Sequence, residues 1–395
     1  MTFGSVLRQH ALLKIFSHIQ FGTLKLTLPD GSIHTFTGTK AGPAADMTLI
    51  HDNAINRMMN DGKMGFCEAF MRGEIDSTNL TNLIELAVQH DSYLEDKFKL
   101  GTIQNLWLKF QHWRNRNNQT GSRRNISYHY DLGNQFYSTW LDQTMTYSSA
   151  VFQSDRDTLE DAQNRKYQKL AELADIQPGD SVLEIGCGWG GFAEYAAREC
   201  GAQITGITIS KEQYDYATKR LQSAGLDTKA TIQMLDYRKL DQRFDKIVSI
   251  EMFEAVGEQY WPVYFSTLSK CLKKGGKAAL QVITMDHKAF LEYRTQPDFI
   301  QKYIFPGGML PSVQALDQPI EKAGLTLKSH QGYGEDYART LAEWKERFTK
   351  AWPELVHTPK FDDRFKRMWE LYLSYCEGGF KAGMIDVKQM LITHK

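Results

Sequence analysis

Val182-Leu183-Glu184-Ile185-Gly186-Cys187-Gly188-Trp189-Gly190-Gly191 is the stretch that decides the fold. Ser181–Ile185 is a short apolar run that suits a buried strand, and residues 192–198 read as a helix. Between them, Gly186, Gly188 and Gly190 recur at every second position. By strand, glycine turn and helix, an open α/β sheet brings its backbone up to a nucleotide-like ligand at a helix N-terminus. The spacing is Gly-x-Gly-x-Gly, not the Gly-x-Gly-x-x-Gly that a dinucleotide pyrophosphate asks for.

The α/β rhythm continues downstream. Strands are expected at 203–209, Ala230–Met234, Phe244–Ile250 and 277–284, the last introduced by Gly275-Gly276. A helix is expected at 211–222, a strand at 325–328, and helices at 341–352 and 365–377. The fold class is therefore α/β, a doubly wound sheet. Ligands of such sheets sit beyond the carboxyl ends of the strands. That rule gathers residues 186–191, 208–213, Asp236, Glu254 and 281–284 into one crevice. Residues 285–315 interrupt the sheet with an insertion that ends in an apolar, turn-rich run including Phe305-Pro306-Gly307-Gly308, which suits a lid.

Upstream, residues 1–120 read as a separate, smaller α+β unit. Leu24, Leu26 and Leu28 alternate with Lys25 and Thr27, and Asp30-Gly31 turns the chain, so 22–36 is a hairpin. No catalytic motif lies here; substrate presentation and dimerisation to a homodimer are the roles open to it. Between Leu94 and Arg124, Phe98, Trp107, Phe110 and Trp113 interleave with Lys97, Lys109, Arg114 and Arg123. Two readings compete: a helix at a lipid interface, or a packed linker with a solvated basic face. From Tyr128 to Ser149 aromatics, hydroxyls and a carboxylate crowd together, enough to line an apolar pocket or simply to pack.

Bulk properties bound the rest. Lys plus Arg and Asp plus Glu both number 47 in 395 residues, which leaves no global field for nucleic acid. The five cysteines are scattered, without C-x-x-C, arguing against a disulfide framework or a metal site. Met1 to Phe21 has no signal-peptide core, and no apolar run is long enough to span a bilayer. The expectation is a cytoplasmic protein that meets a membrane only peripherally, from its inner face.

Val182 to Gly191 resembles motif I of the class I S-adenosylmethionine-dependent methyltransferases. With Tyr128-His129-Tyr130-Asp131, Met145 to Ala150, Gly206 to Gln213, Met252 to Gly257, Tyr303 to Ser312, Asp336-Tyr337 and Arg364 to Phe380, it resembles the cyclopropane-fatty-acyl-phospholipid synthase family, which includes the mycolic acid cyclopropane synthases. The match covers about 120–390, implying a methyltransferase domain at 121–395 behind an accessory domain at 1–120.

The resemblance implies methyl transfer from S-adenosylmethionine to the cis double bond of an unsaturated phospholipid acyl chain, followed by proton loss that closes a cyclopropane. The implied cofactor residues are Tyr147, Ser148, Glu184, Gly186, Gly188, Gly190, Thr208, Ser210, Gln213, Asp236 and Tyr237. Asp236 suits the exocyclic amine of adenine. The second strand lacks the usual acid for the ribose hydroxyls, which leaves Gln213 or the nearby hydroxyls for that task. The family's base is a bound bicarbonate. Its implied ligands are Glu254, Tyr337 and Ile283, with Ser149 at a cysteine position and Gln281 at a histidine position. Those two departures put bicarbonate use in question more than methyl transfer. A further cysteine, implied as catalytic, falls on Cys376, where a buried helix cysteine is the plainer reading. Three alternatives stand beside ring formation: methyl-branched or methylene fatty acids, a small-molecule substrate, and a non-catalytic lipid- or nucleotide-binding protein.

Overall fold

The structure is a computed structural model and describes residues 3–91, 132–358 and 361–395. The basic aromatic segment between Leu94 and Arg124, the run Tyr128 to Asp131 and the expected boundary at 120 all lie outside the described residues. Two compact units result. Among the described residues, the first takes those up to Asp91 together with Gln296–Phe299 and Leu341–Met384. The second takes those from Leu132 to Thr295, Ile300–Thr340 and Ile385–Lys395. Packing thus does not follow one cut in the chain: the helix Asp363–Lys381, expected in the second domain, folds into the first unit.

In the first unit the expected hairpin is present as β1 (Phe21–Thr27) and β2 (Ile33–Thr37). The Asp30 side chain accepts the Ser32 amide at 2.9 Å and Gly31 takes φ 83°, which turns the chain. Leu24, Leu26 and Leu28 are buried while Lys25 is exposed, as period-two alternation requires. β3 (Lys40–Leu49) lies parallel to β1 and pairs with the short β4 (Ile75–Asp76), giving the order β2-β1-β3-β4.

The second unit is a seven-stranded sheet of β5 (Ser181–Ile185), β6 (Gln203–Thr208), β7 (Ala230–Met234), β8 (Phe244–Ile250), β9 (Leu272–Met285), β10 (Leu325–Gly332) and β11 (Ile385–His394). Their order is β10-β11-β9-β8-β5-β6-β7. β5 to β9 are parallel, and β11 runs antiparallel between β9 and β10. The apolar runs are buried on both faces. Leu183, Ile247, Ala278 and Leu280 feed one cluster, while their neighbours Val182, Val248 and Ala279 feed another. Connections run from β5 through β6 to β7 on one side, then return to β8 beside β5. The switch point lies between β5 and β8, and their carboxyl ends open the crevice.

The insertion after β9 is structured. It holds a helix His287–Tyr293 and a π-helical turn Ile300–Ile304. Phe290 and Met309 enter the core. The Met309 amide donates to the Glu254 carbonyl at 2.8 Å, so this segment closes against the end of β8.

Candidate active site

The glycine turn follows β5 directly. Gly186, Gly188 and Gly190 all have positive φ, at 81°, 52° and 83°. Their reasons differ. A Cβ on Gly186 would meet the Met252 side chain at 2.5 Å, and one on Gly190 would meet Ala217 at 3.0 Å, so these two let elements pack. A Cβ on Gly188 would meet nothing within 4 Å; its backbone faces open space. The amides of Gly186 and Cys187 both donate to the Ile207 carbonyl at 3.0 Å, which ties the turn to β6.

Around this turn stand the expected cofactor residues. Glu184 is buried, burial holds its carboxyl well above the usual range, and its Oε2 has no hydrogen-bond partner. Thr208 Oγ1 donates to Gln213 Oε1 at 2.8 Å, which turns the Gln213 amide nitrogen outward from that pair. Ser210 caps the helix Lys211–Ser223 by accepting the Gln213 amide. Asp236 accepts Arg238 Nε at 2.8 Å and Nη2 at 2.6 Å. Tyr237 packs edge-on to Tyr264 at 5.5 Å, and burial pushes its hydroxyl up to about 12. Tyr147 packs tilted or edge-on among Tyr137, Trp140 and Phe305, with ring centroids 5.4, 5.5 and 6.5 Å away. An orphaned carboxylate oxygen beside a glycine turn open at Gly188 fits a nucleoside carrying hydroxyls and a charged sulfonium.

The second half of the crevice is built around two carboxylates at the end of β8. Sequence reasoning placed Glu254, Tyr337, Ser149, Gln281 and Ile283 together as holders of an anion, and the structure does bring them together, but around Glu251. Glu251 Oε1 accepts the Ser149 amide and Gln281 Nε2, both at 2.8 Å, and Oε2 accepts the Tyr337 hydroxyl at 2.7 Å. Glu254 Oε1 accepts the Ile283 amide at 2.5 Å, and its Oε2 is buried without a partner. These residues do not fit a bound bicarbonate. Three of the donors implied for it are held by the Glu251 side chain, and the fourth by Glu254.

Glu251 is held unusually. It takes φ 49°, a left-handed conformation rare for a residue with a side chain. Its amide donates to the Gln281 carbonyl at 2.8 Å. Gln281 is itself aimed: its Oε1 accepts Gln389 Nε2 of β11 at 3.0 Å, so its nitrogen faces Glu251. Burial raises the carboxyls of both Glu251 and Glu254, Glu254 to about 8 with the charge of Glu251 adding to the rise. Glu251 has three donors from other segments and Lys166 to favour its charge, whereas Glu254 has the Ile283 amide and its own. The charged form is therefore favoured more at Glu251 than at Glu254.

Lys166 is fully buried in the helix Leu159–Ala174. Its Nζ donates to Ser148 Oγ at 2.6 Å and Gln163 Oε1 at 2.7 Å. Burial pulls it down to about 7, against the charges of Glu251, Asp142 and Glu184. Lys166, Glu251 and Gln389 were missed in the sequence. For Glu251 only its place was legible, directly after β8 and three residues before Glu254. Cys376 lies in the first unit, on Asp363–Lys381, and burial raises its thiol well above the usual range.

A doubly wound sheet with the order described, a glycine turn after its first parallel strand and an acid pair at the switch point define a class I methyltransferase. Solved structures agree. A mycolic acid cyclopropane synthase complexed with S-adenosylhomocysteine superposes with a TM-score of 0.64 at 29% identity, covering 69% of this chain and 98% of that one. The sequence model of the mycolic acid cyclopropane synthetase family matches residues 117–390, and one of a domain of unknown function matches 11–98. Tuberculostearic acid methyltransferase of Mycobacterium tuberculosis is 39% identical over 393 residues, 94% of this chain and 88% of that protein. Cyclopropane-fatty-acyl-phospholipid synthase of Escherichia coli is 36% identical over 357 residues, 88% of each. The chain belongs to the mycolic acid cyclopropane synthetase family. It is an enzyme, a methyltransferase, and its cofactor is S-adenosylmethionine.

Proposed function

We propose that this enzyme adds a methylene group across the cis double bond of an unsaturated phospholipid acyl chain, giving a cyclopropane. The observation that carries the reading is the carboxyl pair at the strand ends beside the open glycine turn, Glu251 held by three donors from remote segments and Glu254 by the Ile283 amide. An alkene has no proton to lose before it is methylated, but the cation it becomes must lose one afterwards. Glu251, whose donors favour its charged form, would serve as that base. S-adenosylmethionine supplies the electrophilic methyl. Gly188, Glu184, Gln213 and Asp236 would hold it, and the rings of Tyr147, Phe305 and Tyr337 offer π faces to the cation. The relatives, a cyclopropane-fatty-acyl-phospholipid synthase and a tuberculostearic acid methyltransferase, support a lipid substrate over a small molecule.

A methyl-branched or methylene product is the second reading, favoured by Ser149 and Gln281 and by the 39% identity to a tuberculostearic acid methyltransferase. The test is incubation of the protein with S-adenosylmethionine and vesicles of cis-unsaturated phospholipid. Mass spectrometry should show acyl chains heavier by one CH2, and NMR should show ring protons. A gain of CH2 with olefinic signals instead would establish the methylene form of the second reading, and a gain of CH4 with branched-methyl signals, once a hydride donor is added, its saturated form.

Among the described residues no helix is long and apolar enough to cross a membrane. The basic aromatic residues between Leu94 and Arg124 support peripheral attachment to an anionic lipid surface. Vesicle binding should then fall steeply with salt, because exposed charges are screened within about 8 Å at physiological ionic strength. Binding that ignores salt would favour a packed linker.

A further inference from the structure

We infer that the Glu251 carboxylate is a built-in proton acceptor that stands in the place of a bound bicarbonate, so that this enzyme carries its base covalently. The inference rests on the reading of the substrate as an alkene and names the base for that reaction.

The geometry is the argument. An anion at this position would need the Ser149 amide, a side-chain donor from residue 281 and the Tyr337 hydroxyl. Glu251 takes all three, at 2.8, 2.8 and 2.7 Å. A carboxylate offers about four acceptor positions, two on each oxygen. Two donors fill Oε1 and one fills Oε2, which leaves one position on Oε2 for an incoming proton. The residue as a whole is only partly buried. Gln281 suits this arrangement and would suit a free anion less well. Its amide is fixed by Gln389 to present a neutral donor, and a neutral donor is enough when the anion is tethered. The backbone agrees. Glu251 is kept at φ 49°, where glycine would sit without strain, and the cost of that conformation is accepted at the position from which the carboxylate reaches the donors.

The step balances. One alkene carbon takes the methyl with the π pair, while the methyl–sulfur bond breaks and leaves its pair on sulfur. The other alkene carbon becomes cationic. A C–H bond of the added methyl then gives its proton to Glu251 Oε2, and its electron pair closes the ring. Glu251 ends neutral and releases the proton to solvent before the next turnover. A 1,2-hydride shift that moves the cation to the methyl-bearing carbon, followed by loss of a methyl proton to the same oxygen with the pair forming a C=C bond, gives a methylene product. A saturated branch would need a hydride donor instead, and no such step is proposed.

The test compares wild type, Glu251→Gln and Glu251→Gly, each first shown by calorimetry to bind S-adenosylhomocysteine. Glu251→Gly relaxes the backbone and opens the anion's place, so it guards against a variant that fails to fold. Product formation on cis-unsaturated phospholipid vesicles is measured with bicarbonate stripped and then restored. Binding of 13C-labelled bicarbonate is followed by NMR line broadening, which needs no turnover. Wild type should keep its rate without bicarbonate, and Glu251→Gln should lose about 10²- to 10⁴-fold. Glu251→Gly should be as slow, regain about tenfold or more with bicarbonate or formate, and alone broaden the labelled line. A wild-type rate that collapses without bicarbonate, a labelled line broadened by wild type, or a Glu251→Gln variant at full rate would each overturn the inference. Should wild type convert no unsaturated phospholipid, the substrate reading falls, while bicarbonate broadened by Glu251→Gly and not by wild type still upholds Glu251 as the anion's replacement.

Discussion

The crevice has two halves that are made in opposite ways. The cofactor half is local: strand β5, the glycine turn and the following helix are consecutive, and each glycine answers to a neighbour or to open space. The acid–base half is assembled across the chain. Its central carboxylate, Glu251, takes donors from residues 102, 30 and 86 positions away. A local site tolerates substitution elsewhere and is destroyed from within. A dispersed site depends on every strand that delivers a donor, and it can exchange one way of holding negative charge for another without altering the fold.

The largest effect that would break this contrast lies in the local half. Gly188→Val puts a β-branched residue at φ 52° and points its side chain into the open space beside the turn. Calorimetry should detect no binding of S-adenosylhomocysteine, with stability lowered by roughly 1–3 kcal/mol for the strained conformation. Unchanged affinity would mean that the ligand does not approach Gly188.

Next comes Glu254, which sharpens the division of labour within the dispersed half. Glu254→Gln keeps an oxygen for the Ile283 amide and removes only the carboxyl proton, so the rate should fall by about tenfold or less, well short of Glu251→Gln. Stability gives a separate sign. The folded carboxyl titrates near 8 against an ordinary 4.5, with burial as the main cause and Glu251 as the charged neighbour. Between those values the fold holds a proton that the unfolded chain has released. The contribution is fully present below pH 4.5 and is lost as pH rises through 8. Glu254→Gln should therefore gain stability relative to wild type as pH rises from 5 to 8, measured by denaturant titration. A constant difference would show that Glu254 is charged throughout.

This division also explains what could be read in the sequence. Ser181–Ile185 and Phe244–Ile250 have the bounds expected of them, because strands buried on both faces are short apolar runs closed by turn residues, and the edge strand Ala230–Met234, with Thr231 and Met234 exposed, has its expected bounds too. β11 was missed. Gln389 and Met390 are buried in succession in a strand containing Lys388, so no alternation stands out. The helix Leu159–Ala174 was missed although Thr158 and Asp161 form a capping box at its start. The glycine half of the site was legible because its partners are adjacent in sequence. In the other half the residue types were legible and their centre was not. Nothing in Glu251-Met252-Phe253-Glu254 says which carboxylate receives donors from three remote segments.

Gln389 tests the delivery of one donor. In Gln389→Leu the Gln281 Oε1 loses its partner in a buried site, at a cost of about 1–3 kcal/mol, and the amide is free to turn its oxygen toward Glu251. The expected result is a kcat several-fold lower with KM unchanged and a shifted pH profile, because Glu251 loses a donor to its charged form. A stability loss with kcat and the pH profile intact would make Gln389 a packing residue only.

The smallest effect is expected at Cys376, and its smallness is informative. The resemblance to the family implies a reactive cysteine there. A thiol acts as nucleophile or base only as thiolate, and reactive cysteines lie in electropositive, accessible surroundings. Cys376 has the opposite setting. It sits on the helix Asp363–Lys381 within the first unit, and burial, with Asp298 adding its charge, raises the thiol well above the usual range. It therefore stays protonated at neutral pH. All the proton-handling groups named above belong to the second unit. Cys376→Ala should lower stability by about 1 kcal/mol through lost packing. It should leave kcat on unsaturated phospholipid vesicles within about twofold of wild type, and the bicarbonate response unchanged. A loss approaching that of Glu251→Gln, with S-adenosylhomocysteine binding intact, would bring the first unit into the chemistry and end the distinction between a unit that reacts and a unit that only folds.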